Sequence, residues 1–162
     1  MVRYLLLALL LVGCGYKPMS HYTASLLGPR VYTKVKVYLR DPQNAVLIKD
    51  AVNKALYERL GSTWADRKSA TSQLLVRVQR ITFTPLEYDR YGYIIYYRAR
   101  SWLEFDFIKD GKKRTITTEG FYDFPIEPNS VITDALRFIA IKHSAAKAID
   151  RFISRLALMG EH

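Results

Sequence analysis

The sequence IYYRARSWLEFDFIKDGKKRTITTEGFYDF, residues 95–124, contains two alternating runs joined by a turn signal. Apolar and polar side chains alternate through both runs, which is the period of a strand whose two faces differ. Between the runs, Asp110-Gly111 supplies the two positive-φ residues of a type I′ turn. We therefore predict a long antiparallel hairpin with strands Ile95 to Ile108 and Lys113 to Phe124.

The turn also predicts how the two strands pair. A two-residue loop centred on Asp110-Gly111 places opposite one another residues whose numbers sum to 221. Phe105 then faces Ile116 on the apolar side, where we expect the core. On the other side, Arg98 faces Asp123 and Trp102 faces Glu119, and opposite charges directly across a pair stabilise a sheet modestly.

A strand, a helix and a second strand precede the hairpin. Val31 to Arg40 alternates as a half-buried strand. Asp41-Pro42 then opens a helix, with Asp as N-cap and Pro at the first helical position, and Gly61 ends it. The second strand is Leu74 to Phe83, where a slip in the apolar phase predicts a bulge near Gln79-Arg80. A strand–helix–strand unit predicts a right-handed crossover with parallel strands.

Two further segments complete the chain. Thr84 to Gly92 carries turn residues and charges, and we predict a loop of nine residues there. The last helix follows Pro125, with Asn129 or Ser130 as its cap. Its predicted buried stripe consists of Ile132, Ala135, Leu136, Ile139, Ala146, Ile149, Ile153 and Leu156.

These elements predict an α+β fold, a two-layer sandwich in the order βαβββα. Four strands form a mixed sheet, and both helices pack on one face of it. The other face is left to Lys34, Lys36, Arg98, Arg100 and Trp102. Aromatic and arginine side chains are enriched at protein interfaces, so this face is a predicted partner surface.

The N-terminus has the features of an export signal. Arg3 is followed by an apolar run, Tyr4 to Val12, that is too short for a membrane-spanning helix. Leu11-Val12-Gly13-Cys14 resembles a lipobox, the motif of bacterial lipoprotein signal peptides. The resemblance implies cleavage before Cys14 and acylation of that cysteine. We therefore expect a signal peptide at 1–13, a lipidated tether at 14–30 and one domain at 31–162.

Composition restricts the partners. The chain has 162 residues, a net charge of +10 and a single cysteine, so it can form no internal disulfide. In a cytosolic protein such a charge would suggest binding to nucleic acid, but an exported protein is separated from that partner. The polyanions that remain are phospholipid headgroups, cell-wall polymers and phosphorylated lipopolysaccharide. A generic basic surface is the alternative explanation of the charge.

Signatures of catalysis are missing from the sequence. There is no phosphate-binding loop, nucleophile elbow or zinc-protease motif, and no cluster of cysteine and histidine. His143 lies within the last helix, where packing is the expected role. Ser144 and Lys147 match S-x-x-K without its companion motifs, and Glu104 and Asp106 are expected to form ordinary ion pairs. We predict no enzyme, no cofactor and no metal site.

Several stretches together resemble the LptE family of outer-membrane lipopolysaccharide-assembly lipoproteins. They are Cys14 to Pro18, the strand and helix of Val31 to Leu60, the Tyr88 to Gly92 segment before a tyrosine-rich strand, and the alanine-rich last helix. The resemblance implies a lipid-anchored protein on the periplasmic side of the outer membrane. It would plug the β-barrel LptD and help to assemble it while handing over lipopolysaccharide.

Lipopolysaccharide carries phosphates, for which arginine offers paired donors and lysine a point charge. The predicted contacts are Arg90, Arg98, Arg100, Lys112, Lys113 and Arg114. The alternative is a lipoprotein activator of a cell-wall synthase, another small outer-membrane module. A tether of about 15 residues, at most about 50 Å long, argues against it, because such an activator has to reach across the periplasm.

Overall fold

The computed structural model describes residues 26–37, 42–60 and 64–160. Four strands are formed: β1 (Val31–Val37), β2 (Ser72–Tyr88), β3 (Ile94–Lys109) and β4 (Lys112–Pro125). The helices are α1 (Pro42–Leu60) and α2 (Asp134–Gly160). Of the helices in these ranges, none is both long enough and apolar enough to cross a membrane.

The strands form one mixed sheet in the order β1-β2-β3-β4. β1 and β2 are parallel, and the other two pairs are antiparallel. The helices make the second layer, in which α2 packs on β3 and β4 and α1 packs on β1 and on α2. The predicted two-layer α+β sandwich is confirmed.

The β3–β4 turn has the predicted geometry. Asp110 and Gly111 have φ angles of 50° and 71°, the left-handed values that a type I′ turn requires. Every residue pair from Tyr96–Pro125 to Lys109–Lys112 has numbers that sum to 221. Phe105 and Ile116 are both buried. The predicted register is therefore confirmed along the whole hairpin.

β2 is longer than predicted. The register slips between Val78 and Arg80, which confirms the bulge. The prediction of a nine-residue loop at 84–92 is wrong, because β2 continues to Tyr88 and only residues 89–93 connect it to β3. β1 pairs with β2 no farther than Val78, so the rest of β2 has an unpaired side in the described sheet. A proline such as Pro85 is tolerated on an unpaired edge.

α2 starts later than predicted. Asn129 and Ser130 belong to a turn instead, in which Asn129 has a φ of 58° and the Ser130 hydroxyl donates to the Glu127 carbonyl. Thr133 caps the helix, since its hydroxyl accepts a hydrogen bond from the Leu136 amide at 3.3 Å. Of the residues predicted to form its buried stripe, Ile139 is 42% exposed, Ala135 is exposed as well, and Ile132 lies before the first helical residue.

The other predicted ends lie partly outside the described residues. α1 begins at Pro42 as predicted, but its expected cap Asp41 and its expected end Gly61 are not described. β1 is described only to Val37. Cys14, the predicted signal peptide and most of the predicted tether also lie outside the described ranges.

α2 approaches the sheet closely along a seam of small residues. A side chain at Gly120 of β4 would collide with the Ser144 carbonyl and would lie 2.5 Å from the Ala148 amide nitrogen. Beside it, the Ser101 and Ser144 hydroxyls are 2.6 Å apart, and Thr118 donates to the Ala148 carbonyl at 2.6 Å. These buried groups fix the helix on the sheet, and they leave the opposite face of the sheet as the open one.

Candidate functional site: the open face of the sheet

The open face is the side of the sheet turned away from the two helices. Its side chains come from alternate positions of all four strands, because successive side chains of a strand point to opposite sides. The bulge at Val78–Arg80 shifts this alternation, so Arg77 and Arg80 both lie on the open face. Its main charged and aromatic residues are Lys34, Lys36, Arg77, Arg80, Arg98, Arg100, Trp102, Glu104, Asp106, Lys113, Phe121 and Asp123.

One end of the open face holds a carboxylate network. Arg77 of β2 donates to Glu104 at 2.7 Å through Nε and to Asp106 at 2.7 Å through Nη1. Thr115 donates to Asp106 at 2.7 Å, and Lys113 Nζ lies 3.0 Å from the same carboxylate. The expectation that Glu104 and Asp106 form ion pairs is confirmed. Their main partner is Arg77, whose position depends on how β2 pairs with β3.

Asp106 is the buried centre of this network, with a side chain only 4% exposed. Burial by itself raises the pKa of the carboxyl group. Hydrogen bonds from Arg77, Thr115 and Lys113 outweigh that effect and lower the pKa to about 2. Asp106 is therefore a permanently ionised structural group at neutral pH. A general acid or base needs a pKa near the working pH, so this carboxylate is unsuited to that role.

Beyond the network, two arginines lie over one tryptophan. The Arg80 guanidinium is 4.1 Å from the centre of the Trp102 ring, and the Arg100 guanidinium is 5.6 Å from it. Neither arginine takes part in an ion pair among the described residues. We call these three side chains the guanidinium–tryptophan cluster. Its two cations are oriented by the ring while their donors stay open to a ligand.

Arg98 is held differently. It makes a two-pronged pair with Asp123, through Nε and Nη2 at 2.7 Å each, as the strand register predicts. The guanidinium also lies 4.5 Å from the centre of the Phe121 ring. The pair with Arg98 lowers the pKa of Asp123, and the pair with Asp123 raises the pKa of Arg98. Because its charge is already neutralised, Arg98 offers less to an anion than Arg100 does.

The six predicted contact residues do not lie together. Arg98 and Arg100 are on the open face, as predicted. Arg90 is at the β2–β3 turn, where it packs 4.7 Å from the Tyr91 ring. Lys112, Lys113 and Arg114 are at the opposite end of β3, which is 16 residues long. The six predicted residues therefore belong to at least three separate surfaces.

Some basic residues of the open face were not predicted as contacts. Arg80 is one, and the bulge was the sequence signal that could have placed it beside Trp102. Arg67 is another: with Tyr32, Lys34 and Lys36 it lines a cleft of about 240 Å³ at the β1 side of the sheet. Arg67 lies in the connection between α1 and β2, where alternation gives no information on the face.

The side chains weighed for catalysis have structural roles. His143 stacks on Tyr122 with ring centres 4.7 Å apart, and burial lowers its pKa. Ser144 is buried against Ser101 in the seam, so the S-x-x-K match is not an active site. Within residues 26–37, 42–60 and 64–160, no group of three acidic, cysteine or histidine side chains could hold a metal ion.

A comparison with known protein families identifies the family of this chain. A family model described as LptE, lipopolysaccharide-assembly, matches residues 32–156, from β1 almost to the end of α2. This chain belongs to the LptE family. It is thus a member of a family of outer-membrane lipoproteins that serve lipopolysaccharide assembly and are not enzymes. No curated protein matches the chain.

Solved structures share the LptE-like fold at low identity. Rare lipoprotein B from Shewanella oneidensis is 15% identical, with a TM-score of 0.51 over 82% of this chain and 99% of its own. A lipoprotein from Caulobacter crescentus is also 15% identical, with a TM-score of 0.50 over 90% of this chain and 98% of its own. At such identity the likeness supports the fold, and the site has to be argued from this chain's own residues.

Proposed function

We propose that this chain is lipidated on Cys14 and held on the periplasmic side of the outer membrane. There it serves as the plug and assembly partner of an LptD β-barrel and binds lipopolysaccharide through basic residues. The observation that carries the proposal is the guanidinium–tryptophan cluster on the open sheet face of an LptE family member.

Some cations of the open face are held in ion pairs, and others have no carboxylate partner among the described residues. Arg77 and Lys113 are committed to Asp106, and Arg98 is committed to Asp123. Arg80 and Arg100 are paired with no carboxylate among the described residues, and each guanidinium presents N–H donors in a planar fork. That fork matches the oxygens of a phosphate group. We therefore place the primary lipopolysaccharide contacts at Arg80 and Arg100.

The Trp102 ring adds a flat apolar surface between these donors. An aromatic ring can stack on the apolar face of a sugar while neighbouring cations bind its phosphates. Lipopolysaccharide offers this combination, because phosphates are attached directly to sugars in its head region. Lys34, Lys36 and Arg67 around the neighbouring cleft extend the positive surface toward β1. Arg90, at the far turn, remains a separate proposed contact.

The same face suits a barrel partner. Described residues place no second layer of structure over it, and it carries several arginines together with Trp102 and Phe121, residue types that are enriched at interfaces. At the β4 edge, Arg151 donates to the Glu119 carbonyl at 2.8 Å and Arg155 donates to the Thr117 carbonyl at 2.6 Å. Contact through side chains of the open face is therefore favoured over strand addition at β4.

Purification of the full-length tagged chain from detergent-solubilised outer membranes tests the partner. We expect a large β-barrel protein to co-purify and to be identified as LptD-like by its mass. A chain that elutes alone and monodisperse would remove the plug role. Recovery of a cell-wall synthase in place of the barrel would favour the alternative function.

Binding of lipopolysaccharide is tested with the double variant Arg80→Glu/Arg100→Glu. We expect at least a tenfold loss of affinity at low salt, where screening is weakest. Lys49→Glu/Lys147→Glu is the matched control, because it changes the net charge equally at exposed positions of the helical layer. Equal loss in both variants would mean that net charge, and not the cluster, determines binding.

A further inference from the structure

A second basic site lies at the end of the domain formed by the β3–β4 turn. A cleft of about 350 Å³ opens there, and three cations line it: Lys109, Lys112 and Arg114. Asp110 is the one carboxylate among the described residues that line it. Arg114 uses one N–H on the Met159 carbonyl at 3.2 Å, and within residues 26–37, 42–60 and 64–160 its other donors have no hydrogen-bond partner. We call this the basic cleft.

The inner wall of the basic cleft is apolar. Phe107 and Leu156 are almost fully buried behind it, and the half-buried Leu26 forms one side. Cations at the rim and hydrocarbon at the back match the two parts of a phospholipid. The headgroup phosphate can contact the rim, while the glycerol and the first acyl carbons can cover the apolar wall.

The cleft also lies where the described chain begins. Lys109 Nζ donates to the Leu26 carbonyl at 3.2 Å, and the Leu27 carbonyl accepts from Ser72 at 2.5 Å. Leu27 is completely buried, so the chain is fixed to the domain at this end. Cys14 precedes Leu26 by twelve residues, which span at most about 43 Å.

That limit orients the domain if Cys14 carries the lipid. β3 has 16 residues and is about 54 Å long, so the β2–β3 turn lies a whole strand length beyond the basic cleft. The basic cleft is therefore the part of the domain that the tether keeps nearest to the bilayer. Basic residues close to a membrane surface are attracted to anionic headgroups.

We propose that the basic cleft binds the headgroup of an anionic phospholipid in the leaflet that holds the N-terminal anchor. Phosphate oxygens contact Lys112 and Arg114, with Lys109 beside them, and the apolar wall covers the first acyl carbons. The bound lipid provides a second attachment to the membrane and fixes which end of the domain faces it. This site is distinct from the guanidinium–tryptophan cluster and does not require a barrel partner.

Native mass spectrometry of the full lipidated chain in non-ionic detergent tests the site. Phosphatidylglycerol and phosphatidylcholine of equal chain length are added in separate titrations, and retained lipids are counted. We expect the phosphatidylglycerol adduct to be at least tenfold more abundant. Lys112→Gln/Arg114→Gln should reduce it at least fivefold, and Lys49→Gln/Lys147→Gln, the same change of charge at exposed positions of the helical layer, should leave it unchanged. Lys112→Gln alone, at an exposed position, replaces the double variant if the latter misfolds.

Four results would overturn the proposal. Equal retention of both phospholipids would show that charge is not recognised, and retention independent of Lys112 and Arg114 would place the lipid elsewhere. Displacement of the lipid by millimolar inorganic phosphate would mean that the cleft binds anions in general and does not recognise the lipid. In the fourth result, lipid A displaces the phospholipid stoichiometrically from the native chain but not from the Lys112 and Arg114 variants. That result would mean that the cleft is a lipopolysaccharide site. None of these results bears on co-purification of the barrel, so the two proposals fail separately.

Discussion

Arg77 and Asp106 form the central ion pair of the open face, with Arg77 Nη1 lying 2.7 Å from Asp106 Oδ2. The two residues are far apart in sequence and belong to different strands, β2 and β3. Their contact positions the carboxylate network, which in turn separates the guanidinium–tryptophan cluster from the β3–β4 turn. Consequences for stability follow from the burial of Asp106.

Replacing Asp106 with Asn should destabilise the domain by about 2 kcal/mol, since a buried ionic acceptor is lost while Arg77 and Lys113 keep their charges. Urea denaturation at pH 7 measures the change. Asp123→Asn is the matched control, because Asp123 also pairs with an arginine but its side chain is 32% exposed. The control should lose less, and an equal loss would mean that burial of Asp106 has little effect.

The same carboxylate should produce a defined acid sensitivity. Folding lowers the pKa of Asp106 from 3.8 to about 2, so the unfolded chain takes up this proton more readily than the folded one. The stabilisation is complete above pH 4 and is lost as the pH falls toward 2. It amounts to about 2 kcal/mol at 1.36 kcal/mol per pKa unit. Urea midpoints between pH 5 and 2 should fall more steeply for the native chain than for Asp106→Asn, and parallel curves would contradict this assignment.

Gly120→Ala should cost about 3 kcal/mol, because the added methyl group meets the backbone of α2 and forces the helix off the sheet. Gly92→Ala provides the comparison. Gly92 has a φ of 84° but no atom near the position of a Cβ, so alanine there incurs only backbone strain of about 1 kcal/mol. Thermal and urea unfolding of both variants rank them. A smaller effect at Gly120 would show that α2 can shift.

Arg98 and Arg100 should respond differently to glutamate. Arg98→Glu removes the pair with Asp123 and places two carboxylates directly across the strands, so it should lower the unfolding midpoint. Arg100→Glu breaks no ion pair of the described residues, but the charge of Arg100 helps to lower the pKa of Asp123. This variant should therefore lower the midpoint less than Arg98→Glu does, while it weakens lipopolysaccharide binding. Calorimetry and a binding titration on each variant separate the two effects. Equal midpoints would contradict the distinction.

The hairpin could be predicted from sequence because its information is local. Asp110-Gly111 specifies a turn, and the turn fixes each pair of β3 and β4 by counting outward. Arg98 opposite Asp123 was predictable for this reason. β2 differs, since its bulge between Val78 and Arg80 shifts the register with β3. A slip of one residue exchanges the two faces of a strand, so counting onward from Arg77 puts Arg80 on the wrong face unless the bulge is taken into account.

Two errors have different physical origins. The turn residues of 84–92 suggested a loop, yet pairing with β3 holds most of them in β2. Asn129 and Ser130 have good capping side chains, yet Thr133 caps α2. At the start of α2, a local turn uses the Ser130 hydroxyl and Thr133 caps the helix instead; at 84–88, strand pairing overrides the local turn preference. The candidate site was only partly predictable for the same reason, because it depends on which strands become neighbours.

The β4 edge has one more consequence. Arg151 and Arg155 reach from α2 to the carbonyls of Glu119 and Thr117 on the outer side of this strand. A foreign strand seeking to join the sheet there would first have to displace both guanidinium groups. The helix that completes the core thereby also discourages edge-to-edge pairing of one molecule with the next.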